Sequence, residues 1–176
     1  MKGHREPGAA AGRQRGGDRD LTIGFYAGAY LNQVDAKSRL SIPASIRETV
    51  EARSANRRIV LAPAEHAPCL VGYDLTRLAR IQEQLETRFA GDFGPERDRF
   101  ARHMFGMAET LAYDDNGRII LSPILRELGE LSGLALFLGA GDYFELWSPE
   151  RLLAEPGLDP RLERTVRALI AARGGR

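Results

Sequence analysis

One cysteine, Cys69, is all that the 176-residue chain contains, which excludes an intrachain disulfide and a multi-cysteine zinc site. Long hydrophobic runs are missing as well. The strongest, residues 134–138, is strand-sized and far short of the roughly 20 apolar residues that cross a bilayer. Residues 1–20 lack the apolar core of a secretory signal, so a soluble, cytoplasmic chain without a membrane partner is expected. Charge of one sign is also lacking. The 25 Lys+Arg stand against 24 Asp+Glu for a formal net charge of +1, which excludes a uniformly basic coat for nucleic acid but leaves local patches open. The three histidines, His4, His66 and His103, are scattered and form no HExxH or triad spacing. No GxGxxG or P-loop occurs, so nucleotide chemistry has no seat. No catalytic residue, cofactor, metal or small-molecule substrate is expected, and the chain is read as not an enzyme.

What is present is ordinary globular material. Hydrophobic residues make up 43% and charged residues 28%, enough to bury a core in one domain or two small halves. The Gly/Arg/Ala-rich residues 1–20 read as a disordered extension, with a phosphate-touching basic arm as the alternative. From Ile23 the segment IGFYAGAYLNQVDAKSRLSIP reads as extended pieces broken by a turn, and RRIVLAP and PCLVGYD as short strands. Asp74 is a candidate N-cap for a helix with Leu75, Leu78, Ile81, Leu85 and Phe89 on one face. GDFGP breaks that helix. Pro95 opens another that is expected to reach about Met107, burying Phe100, Met104 and Phe105. TLAYD, GRIILS, LALFLG and DYFELW return to strand character. A last helix from Asp159 to about Ala172, with Pro160 at its first turn, carries Leu162, Val166, Leu169 and Ile170 as its apolar face. Cys69 and Trp147 read as core residues; Met104 and Met107 read as core or oligomer contacts.

The sequence repeats itself. VDAKSRLSIPASIRE at 34–48 matches YDDNGRIILSPILRE at 113–127 with a constant offset of 79. Asp35 aligns with Asp114, Arg39 with Arg118, Arg47 with Arg126 and Glu48 with Glu127. Leu40, Ile42 and Ile46 align with Ile119, Leu121 and Leu125, while Pro43 and Pro123 are displaced by one position. Asp at the head of a turn accepts N–H bonds from two residues on, and Gly117 takes positive φ without a Cβ clash. Ser38 occupies the same position in the first copy, where positive φ would cost about 1 kcal/mol.

The paired blocks DAKSRLSIPASIR and DDNGRIILSPILR resemble the MraZ family, over about residues 23–155. The resemblance implies an α+β fold of two AbrB-like swapped-hairpin β half-barrel repeats in one chain. These would form a pseudo-two-fold barrel, with helices between and after them. Its parts would be an extension at 1–20, a first repeat at 21–73, connecting helices at 74–107, a second repeat at 108–155 and a C-terminal helix at 156–176. It further implies a nucleoid-associated transcriptional regulator of the division and cell-wall gene cluster. The expected partners are double-stranded DNA, at short direct repeats upstream of its own operon, and further copies of the chain in a homo-oligomeric ring. A protein-interaction module of antitoxin type, with protein as its main ligand, is the alternative.

The residues themselves admit two readings. Asp35 and Arg39 form an ion pair that merely holds a loop, or Asp35 orients Arg39 so that it can fork onto phosphate or guanine. Residues 37–58 hold six basic side chains (Lys37, Arg39, Arg47, Arg53, Arg57, Arg58) against two acidic ones, net +4; residues 114–133 are net −2. Phosphates favour the first copy on that tally. Lys37, Arg39 and Arg47 are therefore the expected DNA contacts, with Asp35 orienting the loop and Arg118 a weaker contact that braces its own loop or a neighbouring subunit. Arg47 and Arg126, beside apolar positions, are otherwise expected to pair with glutamates.

Overall fold

The computed structural model describes residues 24–174; the expected extension at 1–20 lies outside the described residues. Two runs, RIVLAP and LALFLG, lack the polar alternation of a half-exposed strand because the strands they form are covered on both faces. They are β3 (Arg58–Pro63) and β7 (Leu134–Gly139). Around them the chain forms β1 (Ala29–Gln33), β2 (Arg39–Ser41), α1 (Ala44–Ser54), β4 (Leu70–Tyr73), α2 (Leu75–Phe89) and α3 (Pro95–Phe105). The second half adds β5 (Glu109–Ala112), β6 (Arg118–Ile120), α4 (Pro123–Leu128), β8 (Phe144–Trp147), α5 (Pro149–Leu153) and α6 (Pro160–Gly174). The molecule is therefore mixed α+β.

Six strands make one antiparallel sheet in the order β1-β7-β8-β4-β3-β5, and β2 and β6 pair as a separate two-stranded ribbon. The pairings map onto one another when the two copies are exchanged. β1 pairs with β7 as β5 pairs with β3, while β4–β8 and β2–β6 each join equivalent strands of the two copies. The copies are interlaced rather than adjacent.

One face of the large sheet packs on the ribbon, α1 and α4. Ile59, Leu61, Ala135 and Phe137 meet Leu40, Ile42, Ile46, Ile119, Leu121 and Leu125 in one buried cluster. The side chains between them point to the opposite face. There Leu136, Leu138 and Trp147 pack against α5 and α6 around Leu152 and Val166, and Val60 and Tyr73 pack against α2 at Ile81. Gly72 lies opposite Phe144, whose ring occupies the space a Cβ at that position would need. Cys69 is 1% exposed at the edge of the α6 cluster, and burial pushes its thiol up to about 12.

The helices form where their caps and spacing allow. Asp74 caps α2 by accepting the N–H groups of Thr76 (2.9 Å) and Arg77 (3.2 Å), and Ile81, Leu85 and Phe89 line its buried side. The second connecting helix ends at Phe105, short of Met107, because Gly106 closes it. Phe100, Met104 and Phe105 are only half-buried, since α3 lies outside α2 and reaches the sheet cluster only at its C-terminal end. α6 buries Val166, and Arg173 near its end donates to the carbonyl of Leu31 at 2.7 Å. No described helix is long and apolar enough to cross a membrane.

Candidate nucleic-acid interface

Each aspartate of the repeat builds the same turn. Asp35 Oδ1 accepts the N–H groups of Lys37 (2.8 Å) and Arg39 (2.9 Å), and the backbone closes with Ser38 N–H on the Asp35 carbonyl at 2.9 Å. Asp114 Oδ1 accepts from Asn116 and Arg118, both at 2.9 Å, and Gly117 N–H closes that turn at 2.8 Å. The third turn residue is left-handed in both copies, φ 61° at Ser38 and φ 71° at Gly117.

The second carboxylate oxygen holds the arginine that follows. Arg39 Nε donates to Asp35 Oδ2 at 2.6 Å and Arg118 Nε to Asp114 Oδ2 at 2.9 Å. The backbone N–H of Arg39, helped by its side chain, holds the Asp35 carboxyl below the usual carboxylate range, and Arg118 does the same for Asp114. An Nε-bound guanidinium has its plane fixed while terminal amino groups remain to donate elsewhere. Those of Arg39 make no hydrogen bond among the described residues.

The ribbon brings the two arginines onto one surface. Across β2–β6, Arg39 lies opposite Ile120, Leu40 opposite Ile119 and Ser41 opposite Arg118. Leu40 and Ile119 point into the core, so the two-residue period of a strand sets Arg39, Ser41, Arg118 and Ile120 on the outward face. The loops at 35–38 and 114–117 stand at the two ends of this ribbon, joined to it by Leu121 N–H on the Ser38 carbonyl (2.9 Å) and Ile42 N–H on the Gly117 carbonyl (2.8 Å).

Each turn is braced by an arginine of the other copy's motif or strand. Arg126 Nη1 donates to Ser38 Oγ at 2.9 Å. Arg47 Nε donates to the Ile42 carbonyl at 3.3 Å, and its guanidinium lies against Gly117, where an added Cβ would stand 2.5 Å from that nitrogen. The expected glutamate partners of Arg47 and Arg126 are not used. Both side chains run toward the paired turn instead, and Arg126 Nε takes the Leu131 carbonyl at 3.3 Å. The displaced prolines have a local cause. Pro43 stands at the N-cap of α1, whereas in α4 Ser122 is the cap, accepting from Leu125 N–H at 3.1 Å, and Pro123 takes the next position.

The charge tally by sequence segment does not survive interlacing. Arg57, counted with the first copy, lies on the second loop, where it pairs with Asp115 at 2.7 Å and donates to the Asp114 carbonyl at 2.8 Å. Arg53 is taken by Asp74 (2.7 Å) and Asp142 (3.2 Å). The difference that remains at the ribbon ends is Lys37 in one loop, where the other has Asn116 and an Asp115 already paired with Arg57. Sequence reasoning missed Ser41 and Ile120 as surface partners of the arginines; the signal was one buried residue in each of RLS and RII, which sets its two neighbours outward. Among the described residues no group of three His, Cys, Asp or Glu could hold a metal ion.

Comparison with known proteins bears on the same motifs. The family model of the MraZ protein, described there as antitoxin-like, matches residues 104–152, which contain the second motif. A protein of Saccharophagus degradans named "Transcriptional regulator MraZ" is 35% identical over 130 residues, 74% of this chain and 86% of that protein. Proteins of the same name from Hydrogenovibrio crunogenus and Rhodospirillum rubrum are 33% and 31% identical, covering 72% and 77% of this chain and 81% and 87% of their own lengths.

Proposed function

The chain belongs to the MraZ family, and on that footing we propose that it is a sequence-specific, DNA-binding transcriptional regulator that reads duplex DNA with the outward face of the β2–β6 ribbon. The observation that carries the reading is the placement of Arg39 and Arg118 on that face, each gripped at Nε by its own aspartate. A two-stranded ribbon fits the major groove, and the terminal amino groups of arginine match the O6 and N7 acceptors of guanine. Lys37 is the phosphate contact of the first loop, Asp35 orients Arg39, and Arg47 acts through the second loop. Arg118 is the weaker reader, because Asp114 also draws its Nη2, at 2.9 Å, and its loop has Asn116 where the first loop has Lys37 to attract phosphate.

The interlaced strand order supports reading residues 21–73 and 108–155 as two AbrB-like swapped-hairpin half-barrels, joined by the helices of 74–107 and followed by a C-terminal segment at 156–176. In this reading the protein works in the cytoplasm, on the nucleoid, as a homo-oligomeric ring on short direct repeats upstream of its own division and cell-wall operon. One ribbon makes few contacts. A ring turns later contacts into intramolecular ones and gains affinity by avidity. The relatives are named as regulators, which supports a non-enzymatic role without a cofactor or small-molecule substrate. The family model's antitoxin-like description favours a second reading, in which protein is the main ligand.

A mobility-shift titration on DNA upstream of the chain's own gene, at two salt concentrations, tests the proposal. Wild type should bind with a slope of about −0.9 in log K against log salt per phosphate neutralised. Arg39→Ala should lose about 5- to 150-fold, the range of one bidentate guanine contact, and Arg118→Ala less. Folded wild type that leaves the DNA unshifted would favour the protein partner.

A further inference from the structure

We infer that Ile120 and Ser41 are specificity-determining neighbours of the two arginines on this face: Ile120 packs on a thymine methyl beside the base held by Arg39, and Ser41 bonds a polar base edge beside the base held by Arg118. This rests on the reading of the ribbon as the DNA-binding face.

The register makes the two ends of the ribbon unlike. The offset of 79 that superimposes Arg39 on Arg118 also superimposes Ser41 on Ile120. Exchange of the copies therefore leaves the arginines matched but swaps a hydroxyl for a branched hydrocarbon. Each of these stands directly across from an arginine, Ile120 opposite Arg39 and Ser41 opposite Arg118. Directly opposed Cβ atoms of an antiparallel pair are about 4.5–5.5 Å apart, so each pair addresses neighbouring base pairs.

The chemistry of each end is narrow. Ile120 is 66% exposed, and burial in this protein does not use it. Isoleucine has no donor or acceptor, and the one apolar feature that a base pair shows in the major groove is the C5 methyl of thymine. Ser41 is exposed, and its hydroxyl both donates and accepts, so it meets a polar edge and has no preference for the methyl. Its backbone carbonyl is already bound by Asn32 Nδ2 at 2.7 Å, which fixes the strand while leaving the side chain available.

Selection from a library of random duplex DNA, with full-length wild type, Ile120→Ser and Ser41→Ile, tests the inference. Both substitutions fall at exposed positions of the ribbon. Wild type should enrich a box with thymine at one position next to a guanine. Replacing that thymine by deoxyuridine removes only the methyl and should weaken wild type about three- to ten-fold, the scale of one to two buried methyl-sized groups. Ile120→Ser should bind the two forms equally, and Ser41→Ile should enrich a box with thymine on both sides. An unchanged box and an undiminished response to deoxyuridine in Ile120→Ser would overturn the inference and leave the DNA reading standing. So would an Ile120→Ser protein with wild-type base preference but an altered oligomer mass by light scattering. That result would place Ile120 with the exposed Ile124 and Leu128 of α4 in a protein contact. A wild-type selection that enriches no sequence would remove the DNA reading itself, and this inference with it.

Discussion

Ser38 and Gly117 hold the same place in two equivalent turns, and the chain has solved that place in two ways. Gly117 takes φ 71° with no Cβ, and the space its side chain would fill is occupied by Arg47. Ser38 carries a Cβ at φ 61° and offers its hydroxyl to Arg126 at 2.9 Å. The left-handed conformation costs an L-residue about 1–2 kcal/mol, and a hydrogen bond to a charged group returns about 1.5–3 kcal/mol. The bond is only partly buried, which puts its contribution near the lower figure. Ser38→Ala removes the bond and keeps the strain; Ser38→Gly removes both. The alanine variant should therefore be the least stable of the three, by about 1–2 kcal/mol against wild type. Glycine should lie about 0.5–1 kcal/mol above alanine, after the extra unfolded-state entropy of glycine is counted. Urea denaturation of the three proteins measures the order. Alanine at or above glycine would show that Ser38 is not strained in solution.

At the scale of elements, α2 is anchored by more than its cap. Asp74 is 0% exposed, accepts two helix N–H groups, accepts the Tyr26 hydroxyl at 3.0 Å and pairs with Arg53 Nε at 2.7 Å. Burial, with Asp74 beside it, pushes the Tyr26 hydroxyl up, which keeps it a donor. Removing one member of a buried pair leaves an uncompensated charge, at about 3–5 kcal/mol. Asp142, at 56% side-chain exposure, bonds the same Arg53 at 3.2 Å from the solvent side, where a pair contributes about 0–1 kcal/mol. Asp74→Ala should thus destabilise by more than about 3 kcal/mol and Asp142→Ala by less than about 1 kcal/mol in chemical denaturation. Similar losses from both would mean that the network is solvated. This helix also shows what a sequence discloses. The cap and the Leu75–Phe89 spacing are local and were legible. Tyr26 and Arg53 arrive from distant parts of the chain, and no periodicity names them. The candidate site divides the same way. The Asp35–Arg39 turn is written in four residues, whereas the pairing of β2 with β6 is a long-range event that a matched repeat permits but does not specify. Summing charges along the chain failed for that reason, since Arg57 folds onto the other copy's loop.

Interlacing at the scale of the whole molecule makes a prediction that two side-by-side domains would not. Among the described strands of the first half, only the β3–β4 pairing is internal; β1 lies on β7, β4 on β8, β3 on β5 and β2 on β6. The principal core is shared in the same way, with Leu40, Ile42 and Ile46 facing Ile119, Leu121 and Leu125 around Phe137. A half chain therefore keeps one hairpin, exposes unpaired strand edges and leaves half a core in water, which a piece of this size cannot offset against its conformational entropy. The turn between α2 and α3, exposed at Gly91, Asp92 and Phe93, is the place to divide it. Fragments 24–92 and 93–174 should each lack a cooperative unfolding transition, and their equimolar mixture should recover the near-ultraviolet signal of Trp147 and a single transition. Association should follow second-order kinetics, because β2–β6 and β1–β7 form only between fragments. A fragment that unfolds cooperatively alone would mean that the copies fold first and interlace afterwards. Failure to complement, with both fragments soluble, would assign the covalent link across residues 90–94 a necessary part in bringing the ribbon together.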